Sequence, residues 1–165
     1  VYAKDILDVG PEGAGLLRSA FAFGALLTGL ALTRVAITRD VGKILYVSVI
    51  IFGLATMVFG FSETFWLSLT AMFVVGAADM VSVNIRVSLI QLATPDVMRG
   101  RVNAVNSIFT GASNEIGEFR AGGMAALTGA VPAVLIGGVG SIMVAAIFWR
   151  VFPQLARVQR MDRDL

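Results

Sequence analysis

The chain has 165 residues, of which 57% are hydrophobic and only 15% are charged, and its mean hydropathy is +0.84. A soluble domain typically carries about 25% charged residues, so this composition argues against a soluble domain and indicates an integral membrane protein. The chain contains neither Cys nor His, which excludes disulfides, thiol chemistry, a Cys/His zinc site and a histidine base.

The chain begins with VYAKDILDVGPEG, residues 1–13, in which Lys4 is the only basic residue. This stretch lacks a charged region followed by an apolar one, so it is not a signal peptide, and we predict an external loop. It also lacks an initiator Met, which suggests a start inside a longer protein.

Five apolar segments follow, and each reaches or approaches the ~20 residues that a helix needs to cross a bilayer. They cover residues 14–32, 44–61, 65–90, 102–127 and 130–152. Such long apolar runs favour helices over a β-barrel, whose strands alternate over about ten residues. We therefore predict an all-α integral membrane protein with five transmembrane helices.

Charge alternates along the connections between these segments. Residues 33–43, residues 93–101 and the tail from Arg150 hold nine of the 13 basic residues, whereas residues 60–65 and 128–132 hold none. By the positive-inside rule, we expect the C-terminus in the cytoplasm and the N-terminus outside. The alternative for any one of these loop residues is that it sets the topology and does nothing else.

Ionisable residues within the predicted spans are unevenly distributed. They cost on the order of 2.5–3.5 kcal/mol each in hydrocarbon, so they usually face a cavity or a partner. The polar candidates are Arg18 in the first span, Asp79 and Arg86 in the third, and Asn114, Glu115, Glu118 and Arg120 in the fourth. Residues 44–61 and 130–149 contain no charge. We predict three helices around a polar interior, with the other two facing mainly lipid or other helices.

Helical spacing refines these assignments. Asp79 and Arg86 are seven residues apart, which places them on nearly the same face but too far apart for a tight ion pair. In the fourth span one predicted polar stripe is Gly111, Glu115, Glu118 and Gly122, and a second stripe of small residues is Gly117, Ala121, Ala125 and Gly129. Small residues let a neighbouring backbone approach closely, so we predict close packing on the second stripe.

The two glutamates also raise the question of proton coupling. A desolvated carboxyl group can hold a proton at physiological pH, and neighbouring carboxylates disfavour each other's ionisation. Proton transfer through Glu115 or Glu118 is therefore one hypothesis. The alternative is that the charges form internal ion pairs with an architectural role only.

The stretches PDVMRGRVNAV (95–105) and GASNEIGEFRAGG (111–123) resemble the C-terminal half of major facilitator superfamily transporters. Within that superfamily they are most similar to the bacterial exporter branch that includes enterobactin exporters and macrolide efflux proteins. The matching residues are Pro95, Arg99, Gly100, Arg101, Val102 and Asn103, then Asn114, Glu115, Gly117, Glu118 and Gly122. The resemblance covers essentially the whole chain.

This resemblance implies that residues 14–165 form helices eight to twelve of twelve, five members of a six-helix bundle. It implies that helices eight, ten and eleven line the central cavity while nine and twelve pack outside, in agreement with the charged and uncharged spans. The N-terminal half would then be absent from this chain.

The resemblance also implies residues at the cytoplasmic surface. The family's gate loop has an Asp-Arg pair, then Gly, then basic residues. Here Arg39, Asp40, Gly42 and Lys43 give a degenerate version in which acid and base are reversed. Arg99 and Arg101 are expected beside them, pairing with acids of neighbouring helices.

The function implied is that of a secondary active transporter in a bacterial inner membrane. It would be a proton-coupled exporter, an antiporter, that moves drug-like or siderophore-like molecules by alternating access. Asp79, Arg86, Asn114, Glu115 and Glu118 would lie on the substrate and proton pathway, with Arg18 and Arg120 toward the outer gate. Expected partners are the lipid bilayer, a small-molecule substrate and the N-terminal half, without nucleic acid, cofactor or metal.

Other functions fit the same residues. One alternative is a non-transporting membrane scaffold or assembly subunit, and another is an importer on the same fold. An intramembrane enzyme is the least supported, because no nucleophile with a neighbouring base is found in the sequence. We therefore expect a protein that is not an enzyme.

Overall fold

The computed structural model describes residues 11–151 except 36, 38 and 39. Within these ranges the chain forms five long α-helices, one short 3₁₀ turn and no strand. The helices are α1 (Pro11–Arg34), α2 (Val41–Phe61), α3 (Phe65–Ala93), α4 (Arg99–Thr128) and α5 (Ala130–Val151), with the 3₁₀ turn at Asp96–Met98. The prediction of an all-α protein is confirmed.

The predicted boundaries need small corrections, mostly because the helices continue into the loops. The first helix begins at Pro11, so the last residues of the predicted external loop are helical. Proline suits the first helical position because its fixed φ matches the helix and its missing N–H has no helical partner there. Residues 1–10 of that loop lie outside the described residues.

Four of the described helices, α1, α2, α3 and α5, are long and apolar enough to cross a membrane. Helix α4 is long enough, with 30 residues, but its asparagines and charged residues lower its hydropathy. Its span through the bilayer therefore stays a prediction, whereas the other four agree with the sequence.

The helices pack in a row. Close packing joins α1 to α3, α3 to α2, α2 to α5 and α5 to α4. The two charge-poor helices, α2 and α5, therefore lie inside the row and contact other helices. The charged helices α1 and α4 stand at its two ends, and a polar interior shared by α1, α3 and α4 stays a prediction.

Helices α1 and α3 cross where both have glycine. A Cβ atom added to Gly24 would collide with the backbone carbonyl of Phe73, and one added to Gly76 would collide with the carbonyl of Phe21. The two backbones are therefore in direct contact, which only residues without a side chain allow. Nearby, the rings of Phe23 and Phe73 lie 6.4 Å apart between centroids.

Helices α2 and α5 pack antiparallel along their lengths. A Cβ atom on Gly138 would lie 2.7 Å from Met57 Cγ and 3.0 Å from the carbonyl oxygen of Gly53. Toward the start of α2, the buried ring of Tyr46 meets Trp149 edge-on at 4.9 Å between centroids. These contacts place α2 between α5 on one side and α3 on the other.

Two buried hydroxyls fix the turn between α2 and α3. Ser68 Oγ donates to Ser62 Oγ at 2.9 Å, and Ser62 Oγ donates to the carbonyl of Thr64 at 2.9 Å. Ser62 is 1% exposed and Ser68 is fully buried. At the other end of this pair, Val41 and Leu45 of α2 pack with Ile85 of α3 in an apolar cluster.

The connection between α4 and α5 is a single residue, Gly129. Its φ of 92° is a conformation that residues with a side chain rarely adopt, and its N–H donates to the carbonyl of Ala125 at 3.0 Å. The predicted stripe of small residues on α4 therefore ends in a turn residue.

Candidate functional site

The charged residues of α3 lie on the side of the helix between its two neighbours. Gly76 contacts α1 and Ile85 packs with α2, and at 100° per residue Asp79 and Arg86 fall between those two directions. Asp79 is half-buried, whereas Arg86 is exposed. Both therefore lie on the same side of α3, between the directions of α1 and α2.

Asp79 and Arg86 do not form a tight pair. The guanidinium Nε of Arg86 donates instead to the carbonyl of Ser82, one turn back on its own helix, at 3.3 Å. Among residues 11–151 with the stated gaps, the ion pairs within 4 Å are Lys43–Asp40 and Arg99–Asp96. The lack of an Asp79–Arg86 pair among the described residues agrees with the seven-residue spacing.

Helix α4 carries the largest group of candidate residues and has no buried residue. Its half-buried residues are Val102, Asn103, Asn106, Gly117, Met124 and Ala125. Most of them fall on the face centred on Gly117, which we assign to the contact with α5. At 100° per residue, Glu118 lies about 100° and Glu115 about 160° around the helix from Gly117.

The acidic stripe of α4 is therefore turned away from α5. Asn114, Glu115 and Glu118 are all exposed in the described chain. A Cβ atom added to Gly111 or Gly122 at the ends of the stripe meets nothing within 4 Å. The structure thus leaves this polar face open, and what it lines in the complete protein stays a prediction.

The predicted close packing on the second stripe of α4 is wrong for Gly117. A Cβ atom there meets nothing within 4 Å, although Gly117 is half-buried. Ala121 is exposed and Ala125 is half-buried. The contact of this face with α5 is therefore loose at Gly117.

Arg18 and Arg120, assigned to the outer gate, are both exposed. Arg18 lies about 120° around α1 from Gly24, the residue that contacts α3. In the described part of the chain, neither arginine has an ion pair within 4 Å. Their role at a gate stays a prediction.

The degenerate gate loop forms a local ion pair. Lys43 Nζ lies 2.8 Å from Asp40 Oδ1, and both side chains are largely exposed. Asp40 has a left-handed backbone with φ 51°, and its carboxylate does not cap α2. Gly42 is buried in the first turn of α2, and Arg39 lies outside the described residues.

The two arginines of the next basic loop differ. Arg99 Nη1 lies 2.8 Å from Asp96 Oδ1, and its Nε donates to the carbonyls of Gln91 and Thr94 at 3.1 and 3.3 Å. The expected pairing of Arg99 with an acid of another helix is therefore wrong, because Asp96 three residues earlier reaches it first. Arg101 is exposed, without an ion pair in the described residues.

An apolar cavity of about 300 Å³ lies between α2 and α3. Its lining consists of Ile51, Leu54, Ala55, Val58, Leu67, Thr70, Ala71 and Val74. The hydroxyl of Thr70 donates to the carbonyl of Trp66 at 2.9 Å, so it is already bonded within its own helix. None of the candidate charged residues lines this cavity, which makes it a poor match for a polar site.

Several important contacts were not anticipated from sequence, including the glycine crossings at Gly24–Gly76 and Gly53–Gly138. The available signal was the recurrence of Gly53 and Gly60 seven residues apart on one face of the second span. A Cβ atom on Gly60 would lie 3.0 Å from Leu135 Cδ2, so both glycines do contact α5.

The sequence matches a known family along almost its full length. The profile described as transmembrane secretion effector, a major facilitator family, matches residues 1–164. The chain is also similar to curated bacterial proteins named enterobactin exporter EntS. It is 26% identical over 146 residues to the protein of Citrobacter koseri, and 24% identical over 146 residues to those of Shigella flexneri and Escherichia coli O1:K1.

These matches cover 88% of this chain but only 35 or 36% of the relatives. The chain therefore spans about a third of the length of the curated relatives it matches. No solved structure is a significant match.

Proposed function

The chain belongs to the transmembrane secretion effector family of major facilitator transporters, and we propose on that premise that it forms part of a small-molecule exporter. The family match over residues 1–164 is the observation that carries this proposal. The four apolar helices and the bacterial relatives support a multi-pass protein of a bacterial inner membrane.

The substrate class follows from the relatives and remains a proposal. Relatives that are identical at about a quarter of the aligned residues are named for enterobactin export, which supports a siderophore-like or drug-like molecule as the exported substrate. Because the chain spans about a third of those relatives, we propose that it works together with further transmembrane helices by alternating access about a midplane site. Those helices would complete the second wall of the substrate pathway.

The open acidic face of α4 supports a role in that pathway. Glu115 and Glu118 lie in the middle of a 30-residue helix and point away from α5. Exposure of two carboxylates to lipid would be costly, so a water-filled pathway or a polar partner is their expected environment. With half-buried Asp79 on α3, they are the groups that we propose carry protons during export.

Transport by the full-length protein in energised membrane vesicles tests this proposal. We expect Glu115→Gln and Glu118→Gln, singly or together, to reduce substrate movement out of the cytoplasm and to weaken its dependence on pH. Glu63→Gln is the matched control, since Glu63 is exposed in the short turn between α2 and α3. No substrate movement with a panel of siderophores and drugs would favour the scaffold alternative, and inward movement would favour the importer.

A further inference from the structure

Arg99 lies at the junction of α3 and α4, and its side chain contacts residues at the end of α3 and in the turn between the two helices. It is the first residue of α4. Its Nε donates to the carbonyls of Gln91 and Thr94, at the end of α3, and its Nη1 pairs with Asp96 in the 3₁₀ turn between the helices. One side chain therefore joins the end of one helix, the connecting turn and the start of the next.

The chemistry of these contacts suits arginine. The last carbonyls of a helix lack partners within the helix, and that end carries partial negative charge. A guanidinium group offers five donors in a rigid plane, so it can reach carbonyl oxygens and a carboxylate together. A lysine ammonium group has the same charge but lacks this planar arrangement of donors. The turn itself is closed by Met98 N–H donating to the carbonyl of Pro95 at 2.9 Å.

Direct packing between α3 and α4 does not fix the angle between these two helices. The two helices do not pack closely along their described lengths, and α4 packs mainly on α5. Glu115 stands about 24 Å along the helix axis from Arg99 at 1.5 Å per residue, so a tilt of about 10° at the junction would move it by about 4 Å. A small change of angle at the junction therefore produces a large displacement of Glu115.

We propose that Arg99 is a positioning residue that sets the angle between α3 and α4. It thereby determines where the acidic stripe of α4 stands relative to Asp79 on α3. The role of Arg99 in setting the angle between α3 and α4 is inferred from its contacts alone, whereas the consequence for transport rests on the proposed function.

Distance measurements in the full-length protein test this role of Arg99. Spin labels at Val87 on α3 and Phe119 on α4 would attach to two exposed residues, and pulsed electron paramagnetic resonance would give the distance distribution between them. For Arg99→Gln we expect a shift or broadening of about 5 Å, the displacement that a ~10° tilt produces at Phe119. Arg101→Gln removes the same charge two residues later, and it should leave the distribution unchanged.

Two further variants separate the planar donor geometry of the Arg99 guanidinium group from its positive charge. Arg99→Lys keeps the positive charge of the loop, so membrane orientation is preserved, yet the distribution should still shift. Asp96→Asn removes the ion pair and keeps the bonds to Gln91 and Thr94, so it should shift the distribution less and in the same direction. It also serves as the readout if Arg99→Gln does not fold. Native distances in Arg99→Gln or Arg99→Lys, or an equal shift in Arg101→Gln, would overturn the proposal.

Transport measured on the same variants tests the consequence separately. Since misplacement of a functional group by about 1 Å can cost up to about 100-fold in rate, we expect export by Arg99→Lys to fall by about tenfold or more. Export by the control variant Glu63→Gln, in the turn between α2 and α3, should stay within about twofold of wild type. If the wild-type protein moves no substrate, the proposed function fails while the distance result still decides the role of Arg99. Shifted distances with normal export would reject the link between this junction and transport.

Discussion

Gly76 on α3 and Gly117 on α4 each lie within a long continuous helix, and their surroundings are opposite. At Gly76 the backbone of α1 is so close that a Cβ atom would strike the carbonyl of Phe21, whereas at Gly117 a Cβ atom meets nothing within 4 Å. The difference lies in the partner: α1 offers Gly24 where it crosses α3, whereas no atom of α5 comes within 4 Å of a Cβ atom added to Gly117. A small residue permits close approach, but two facing small residues produce it.

The same contrast extends to the two parts of the molecule. Helices α1, α2, α3 and α5 are apolar, and glycine contacts join α1 to α3 and α2 to α5. Helix α4 has no buried residue and keeps its carboxylates exposed. Lipid solvates the first group well, whereas the carboxylates of α4 need water or further polypeptide. The exposed carboxylates of α4 therefore differ in surroundings from Asp79, which is half-buried on a packed helix.

Gly76→Ala should have the largest effect on stability. The added methyl group collides with backbone rather than with a movable side chain, so α1 must separate from α3, and overpacking of this kind costs about 1–3 kcal/mol or more. Thermal unfolding of the purified protein in detergent should show a clearly lowered Tm. Gly15→Ala on α1 is the control, since nothing lies within 4 Å of a Cβ atom there. Equal Tm values for the two variants would show that the α1–α3 crossing is not close.

Gly138→Ala should have a smaller effect in the same assay. Its methyl group meets Met57 Cγ at 2.7 Å, and the flexible methionine can move aside, but the carbonyl oxygen of Gly53 at 3.0 Å cannot. We expect a cost of about 1 kcal/mol. Gly140→Ala on the same helix has no atom within 4 Å and should be neutral. A larger decrease in Tm for Gly138→Ala than for Gly76→Ala would mean that the α2–α5 crossing tolerates a methyl group less well than the α1–α3 crossing.

Gly117→Ala should have the smallest effect. Alanine favours a helix by up to about 1 kcal/mol over glycine, and nothing in the described chain opposes the methyl group. The Tm should therefore stay the same or rise slightly. A lowered Tm in the full-length protein would mean that further polypeptide covers this face of α4, which would restore the close packing predicted from the sequence.

Much of the helical architecture was predictable from sequence. The length of each apolar run indicates the length of a helix, and the basic loops indicate where two helices are connected. The side of α4 that bears Glu115 and Glu118 followed from helical spacing alone. The order of helices in the row did not, because neighbours are chosen by complementary surfaces on separate segments. The absence of charge in the second span, for example, is compatible with contact to lipid or to helices, and α2 contacts two helices.

The pairing of Arg99 was mispredicted for a local reason. The prediction placed an acid of a neighbouring helix beside it, yet Asp96 precedes it by three residues, a spacing that brings side chains together in a helical turn. The 3₁₀ turn at Asp96–Met98 creates that geometry. Attention to this short spacing would have identified the ion pair, whereas the bonds to Gln91 and Thr94 depend on how the chain folds back over the end of α3.

The one-residue connection at Gly129 has a mechanical consequence for α4. Its far end is joined to α5 by a single residue, and its near end is joined to α3 by residues 94–98 and by the contacts of Arg99. A change in the angle between α3 and α4 must therefore be accommodated at Gly129. Because Gly129 has no side chain and adopts a φ of 92°, its backbone is the hinge at which α4 can turn relative to α5.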